Sequence, residues 1–210
     1  MTMSALRGLY AVTPDGLPLE RLAALTGAAL AGGVRLVQYR SKASPVELRR
    51  SQAAALLALC RASGAQLVIN DDLALALELG ADGVHLGRDD GDPAAARRAL
   101  GPKRILGASC YGDLALAEAA AAAGADYLAL GSVFASSTKP QAPVIPRELL
   151  GEAKRRFGLP VAAIGGITLD NAARTIAAGA DLLAVIADLF DAGDVAAVSA
   201  RAENYQKLFD

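Results

Sequence analysis

The sequence predicts an α/β fold of the (β/α)8 barrel type (a TIM barrel), in a single domain over residues 1–210. Three observations lead there. Eight short apolar runs recur along the chain, and most are continuous rather than alternating, as parallel strands covered on both faces must be. Stretches rich in Ala, Leu and Arg with helical spacing separate them. The segments LGADGVHLG, AGADYLALG and AGADLLAVI (79–87, 123–131 and 178–186) repeat one unit of helix end, Gly-Ala-Asp turn and buried strand.

The strand runs are GLYAV (8–12), VRLVQY (34–39), QLVIN (66–70), DGVHL (82–86), RILGA (104–108), DYLALG (126–131), PVAAI (160–164) and DLLAV (181–185). Helices are expected over 18–32, 45–62, 72–80, 93–100, 113–123, 146–157, 168–178 and 194–207. Pro45, Pro93 and Pro146 stand at or near helix starts, where a missing N–H costs little. Gly32, Gly80, Gly124 and Gly179 stand at helix ends, where a left-handed residue is expected. Asp82, Asp126 and Asp181 fall at strand entrances, away from the functional rim, and suit a turn or capping role. An open doubly wound sheet is the alternative, but no GxGxxG follows the first strand.

Composition narrows the function classes. Aromatics are 4% of a chain that is 53% hydrophobic, so Ala, Leu and Val must form the core by close helix–strand packing. A net charge of −1 gives no general attraction to nucleic acid, so any anion must be met by a local cluster of positive groups. Cys60 and Cys110 show neither metal spacing nor a disulfide framework, and Cys60 reads as a small core residue. With no signal-length N-terminal segment and no membrane span, the expectation is a cytoplasmic protein with no membrane partner. Ala-rich outer helix faces suit packing within the barrel and a homo-oligomer alike.

Barrel chemistry lies on the loops that follow the strands. Asn70-Asp71-Asp72 follows strand 3, and GRDD, with Asp89 and Asp90, follows strand 4. Adjacent strands lie about 4.8 Å apart, so one carboxylate from each loop can share a cation. All-oxygen ligation favours Mg²⁺, through Asp71 and Asp90, while Asp72 and Asp89 fit the caps of the next helices. The bland alternative makes all four residues caps or solvated charges. Arg40 and Lys42, after strand 2, suit a diphosphate, and Lys139 ends a hydroxyl-rich loop, SSTK, placed to cover bound phosphates. GGIT, opening helix 7, suits a second phosphate between the loops after strands 7 and 8.

His85, the only histidine, lies inside strand 4 and suits a structural or substrate-positioning role. Ser109 has no base in reach that the sequence reveals, so no Ser/His/Asp set is expected. None of the five lysines (42, 103, 139, 154 and 207) falls inside a strand, which disfavours Schiff-base aldolase chemistry.

In order along the chain, LYAVT, VQYRSK, ND with GVHLGRDD, GASC, LGSVFASSTKP, AIGGIT and GADLLAVIADLF resemble the thiamine phosphate synthase family from residue 9 to about 190. The resemblance implies a (β/α)8 enzyme that joins a hydroxymethylpyrimidine diphosphate to a thiazole phosphate, releasing pyrophosphate and thiamine monophosphate. By that resemblance Gln38, Arg40, Lys42, Asn70, Ser109 and Lys139 would hold the pyrimidine diphosphate, with Arg40, Lys42 and Lys139 catalytic. Asp71 and Asp90 would bind Mg²⁺. Ser136, Ser137, Thr138, Gly166, Ile186 and Ala187 would meet the thiazole phosphate.

Two departures stand out. Ser136 takes the place of a threonine and keeps its hydroxyl, but Ala187 stands where a serine is common and Asp188 follows it. Two rival readings remain: a thiazole phosphate tautomerase of the same fold, which needs neither the diphosphate set nor the metal pair, and a non-catalytic phosphate-ligand sensor.

Overall fold

The structure is a computed structural model that describes residues 6–136 and 141–210. Eight parallel strands close into a barrel in sequence order: β1 (Gly8–Val12), β2 (Leu36–Tyr39), β3 (Gln66–Asn70), β4 (Gly83–Leu86), β5 (Ile105–Tyr111), β6 (Tyr127–Gly131), β7 (Val161–Ile164) and β8 (Leu182–Val185). The helices between them are α1 (Leu19–Ala31), α2 (Val46–Ala62), α3 (Leu73–Leu79), α4 (Pro93–Leu100), α5 (Leu114–Ala122), α6 (Glu148–Phe157) and α7 (Leu169–Ala177). After β8 come a one-turn helix α8 (Ala187–Phe190) and α9 (Val195–Gln206). All eight expected strands are present, and α8 is an addition, because four residues following directly on a strand carry no helical period.

Side-chain alternation sorts the strands into two cores. One face, with Leu9, Val37, Leu67, Ile69, Leu106, Leu128 and Leu183, packs under the helices. The other, with Tyr10, Leu36, Val68, Ile105, Tyr127, Ala162 and Leu182, fills the barrel interior.

The three GAD aspartates do more than turn the chain. Each accepts from the backbone of the preceding, odd-numbered strand: Leu67 N–H donates to Asp82 (2.8 Å), Leu106 N–H to Asp126 (2.7 Å) and Val161 N–H to Asp181 (3.0 Å). The register places Arg35 at the corresponding position beside Leu9. An arginine cannot accept, and there Gln206 of α9 supplies the acceptor for Leu9 N–H at 3.0 Å. These clasps pin the floor of the barrel, opposite the functional rim.

Helix ends follow the expected chemistry with two corrections. Asp72 caps α3 by accepting from Leu75 N–H (2.9 Å), but the cap of α4 is Asp92, not Asp89. Asp92 accepts from Ala94 and Ala95, and Pro93 after it fixes the first helical turn. Gly80, Gly124 and Gly179 have positive φ, whereas Gly32 has φ −76°. Gly32 is required by contact, since a Cβ there would lie 2.3 Å from Ser199 O in α9.

Candidate active site

The strand C-termini surround an open cavity of about 380 Å³, within the range of small-molecule sites. Its β6–β8 side is walled by the small or short residues Ala129, Ala184 and Ile164, while Tyr10 and His85 reach in from β1 and β4. Small side chains on one side of the barrel make the space; the polar groups gather on the other.

On the β2 side, Gln38, Arg40 and Lys42 all line the cavity. β2 ends at Tyr39, so Arg40 and Lys42 belong to the loop, and residues after β1 hold that loop in place. Thr13 Oγ1 accepts from Arg40 N–H at 2.9 Å. Asp15 accepts from the Arg40 guanidinium (2.5 Å) and from the Lys42 backbone N–H (2.7 Å). Thr13 and Asp15 escape a sequence reading because TPDG looks like an ordinary turn; the polar pair directly after a buried strand is the signal that finds them.

Asn70 and Asp71 line the cavity from β3, and Asp90 from the loop after β4. Asp71 takes a left-handed conformation (φ 65°), uncommon for a non-glycine residue and typical of functional loops. Its carboxylate lies 3.2 Å from Lys42 Nζ. Asp90 accepts from Gly87 N–H at 3.0 Å. Partial burial, with the Asp71 carboxyl beside it, raises the Asp90 carboxyl above its ordinary range. Two carboxylates held this close repel unless a proton or cation lies between them.

Ser109 lines the cavity from β5, and the structure corrects one expectation: His85 Nε2 lies 2.8 Å from Ser109 Oγ, so the serine has an imidazole partner. The arrangement is still no Ser/His/Asp set, because His85 Nδ1 faces the Tyr127 hydroxyl (2.8 Å) rather than a carboxylate.

The loop after β6 begins by pairing with β7: Val133 N–H donates to Ile164 O (2.9 Å) and Phe134 N–H to Gly165 O (3.1 Å). The guanidinium groups of Arg147 and Arg174 lie over the Phe134 ring at 5.4 and 4.8 Å. This pairing sets Ser136 and Gly166 on one wall of the cavity. Gly166 has φ 60°, and a Cβ there would lie 2.2 Å from Ala135 O, so only glycine fits. Ser137, Thr138 and Lys139, assigned from the sequence, lie outside the described residues. Thr168 caps α7 with Asn171 in a capping box, and Asn171 also donates to Gly166 O at 2.8 Å, fixing the GGIT turn. Ile186 and Ala187 complete the cavity beyond β8.

Against this geometry the pattern of the family described as "Thiamine monophosphate synthase" matches residues 9–189. The chain belongs to the thiamine monophosphate synthase family. It is thereby an enzyme of the transferase class. The thiamine-phosphate synthase of Aromatoleum aromaticum is 55% identical over 210 residues, covering all of both chains. That of Methylobacillus flagellatus is 54% identical over 209 residues, covering all of this chain and 98% of its own. The thiamine phosphate pyrophosphorylase structure from Pyrococcus furiosus superposes with a TM-score of 0.84 at 34% identity, covering 97% of this chain and 95% of that one.

Within the family the post-β8 departure has a structural answer. Asp188 does not offer a free carboxylate to the cavity: Oδ1 accepts from Arg201 (2.9 Å) and Oδ2 from the Tyr205 hydroxyl (2.7 Å), both on α9. Burial, then the Asp188 bond, pushes the Tyr205 hydroxyl above its ordinary range, so it remains a donor.

Proposed function

We propose that this transferase condenses a hydroxymethylpyrimidine diphosphate with a thiazole phosphate, giving thiamine monophosphate and pyrophosphate. The observation that carries the reading is the gathering, on one cavity rim, of Asp71 and Asp90 with Lys42, which pairs with Asp71, and Arg40. That is the charge pattern of a metal-bridged diphosphate.

Two neighbouring carboxylates, one of them with a raised pKa, fit a divalent cation. A carboxylate pair suits Mg²⁺, which is usually bound through one or two carboxylates with substrate phosphates and waters completing the shell. When bound by Asp71 and Asp90, Mg²⁺ supplies charge neutralisation for the diphosphate.

The chain's own part is positioning and electrostatics. Arg40, aligned by Asp15, and Lys42 bind the diphosphate, and Lys139 completes the cationic set. As the C–O bond breaks, the departing pyrophosphate takes the bonding electron pair and these cations hold its growing charge. The amino group of the pyrimidine, oriented by Gln38, Asn70 and Ser109, feeds electron density to the methylene cation. The thiazole nitrogen captures that cation while Ser136, Ser137, Thr138, Gly166, Ile186 and Ala187 hold the thiazole phosphate. No protein nucleophile is needed. The test is the initial rate of thiamine phosphate formation from both substrates, with Mg²⁺ and with EDTA. Formation that stops in EDTA supports the reading, whereas binding or isomerisation of the thiazole phosphate with no condensation overturns it.

A further inference from the structure

Five side chains form one unbroken hydrogen-bonded chain across the barrel interior. Gln38 Nε2–H donates to the Tyr10 hydroxyl (2.7 Å), which meets the Tyr127 hydroxyl (2.6 Å). Tyr127 meets His85 Nδ1 (2.8 Å), and His85 Nε2 meets Ser109 Oγ (2.8 Å). Gln38, Tyr10, His85 and Ser109 all border the cavity, with Gln38 and Ser109 as the two ends of the chain, and Tyr10 and Tyr127 are buried at 1% and 0% exposure. A missing side chain between Tyr127 and His85 makes the long reach possible. His85, Gly107 and Tyr127 lie in one register row across β4, β5 and β6. A Cβ at Gly107 would lie 2.1 Å from the Tyr127 ring, so glycine leaves the space through which the tyrosine approaches the histidine.

Each link can hold one proton, and that fixes the sense of the whole chain. With the Gln38 amide donating, Tyr10 must donate to Tyr127, Tyr127 to Nδ1, and Nε2–H to Ser109 Oγ. Ser109 then turns its own O–H to the cavity, and Gln38 turns its carbonyl oxygen there. In the reverse sense every link flips, Gln38 offers N–H, and Ser109 offers an acceptor. A mixed sense sets two protons or two lone pairs face to face between buried side chains, which is costly. Burial pushes both tyrosine hydroxyls above their ordinary range, so the phenols keep their protons.

We propose that Tyr10, Tyr127 and His85 are positioning residues that couple Gln38 to Ser109, so the cavity presents one acceptor and one donor as a matched pair. Resting on the function proposed above, that pair fits an aminopyrimidine, whose amino group donates and whose ring nitrogen accepts. A pyrimidine carrying an oxo group in place of the amino group, with a proton on the neighbouring ring nitrogen, meets the wrong partner at both ends, and correcting that would require all four links to reverse.

The single histidine makes the test direct, because a ¹⁵N spectrum of the full chain contains one imidazole. The unmodified protein at pH 8 should show His85 protonated at Nε2 and bare at Nδ1. Gln38→Glu places an acceptor-only group three hydrogen bonds from the ring and should move the proton to Nδ1. Tyr10→Phe, which also does not touch His85 by any bond in the chain, should leave a mixture of the two tautomers. In turnover, Tyr127→Phe should raise KM for the pyrimidine diphosphate roughly tenfold and leave KM for the thiazole phosphate in place. An imidazole tautomer unchanged in both Gln38→Glu and Tyr10→Phe would overturn the coupling, as would equal shifts of both KM values. The nitrogen spectra need no turnover, so an inactive unmodified protein would overturn the synthase reading and leave the coupling to be judged by the spectra.

Discussion

Asp188 and Arg201 meet at 2.9 Å between α8 and α9, and the bond turns a carboxylate beside Ile186 and Ala187, the proposed thiazole-phosphate wall, into a structural clamp. Arg201→Ala should release that charge toward the cavity. The expected result is a KM for the thiazole phosphate about tenfold higher, or about 1.4 kcal/mol, with KM for the pyrimidine diphosphate unmoved. Steady-state kinetics with each substrate varied in turn checks it, and equal changes in both would argue for a general loss of structure.

The clasp at Asp126 is a stability device at the opposite end of the barrel. Its carboxylate accepts from Leu106 N–H and pairs with Arg97. Asp126→Ala orphans a strand N–H and should cost about 1–3 kcal/mol in urea unfolding. Activity per folded molecule should be unchanged, because the residue lies far from the strand C-termini.

How much of this was legible in the residues varies with range. The eight strands could be read because each is a continuous apolar run bounded by turn residues, and Asp71 with Asp90 because adjacent strands share a rim. Tyr10 and Tyr127 were hidden inside those same apolar runs, where a tyrosine looks like any other core residue. The partners of Asp188 cannot be read from the sequence because they lie 13 and 17 residues away on α9, a separation fixed only by the fold. Asp89 reads as a cap in the sequence because it stands close before a helix; Asp92 takes the position because Pro93 sets where the first turn begins.

At Gly166 the backbone and its neighbours both demand glycine. Gly166→Ala must place a Cβ against Ala135 O at φ 60°. The strain should cost about 1–3 kcal/mol in thermal or urea unfolding and raise KM for the thiazole phosphate. A variant with parental stability and kinetics would show that the turn is more pliant than its contacts imply.

The cysteines give a prediction for alkaline pH. Burial, then the Asp82 charge, pushes the Cys60 thiol from 9.0 to about 12. Burial, then the Asp113 charge, does the same for Cys110, also to about 12. The folded state therefore holds these protons more tightly than the unfolded chain. Their contribution to stability is fully present below pH 9 and is lost as pH rises toward about 12. Unfolding midpoints should fall across that window, and at pH 8 a thiol reagent should label both cysteines only after denaturation. Rapid labelling of the native protein would contradict the burial of both groups.

The central claim is that the rim formed by Asp71, Asp90, Arg40 and Lys42 releases pyrophosphate as the two heterocycles join. Its most direct measurement counts both products in one Mg²⁺-containing reaction with the unmodified chain, Asp71→Asn and Asp90→Asn. Pyrophosphate and thiamine phosphate appearing in equal amounts, with the rate falling at least tenfold in either variant, is the predicted result. Unchanged rates in both variants, or pyrophosphate released without thiamine phosphate, would contradict it.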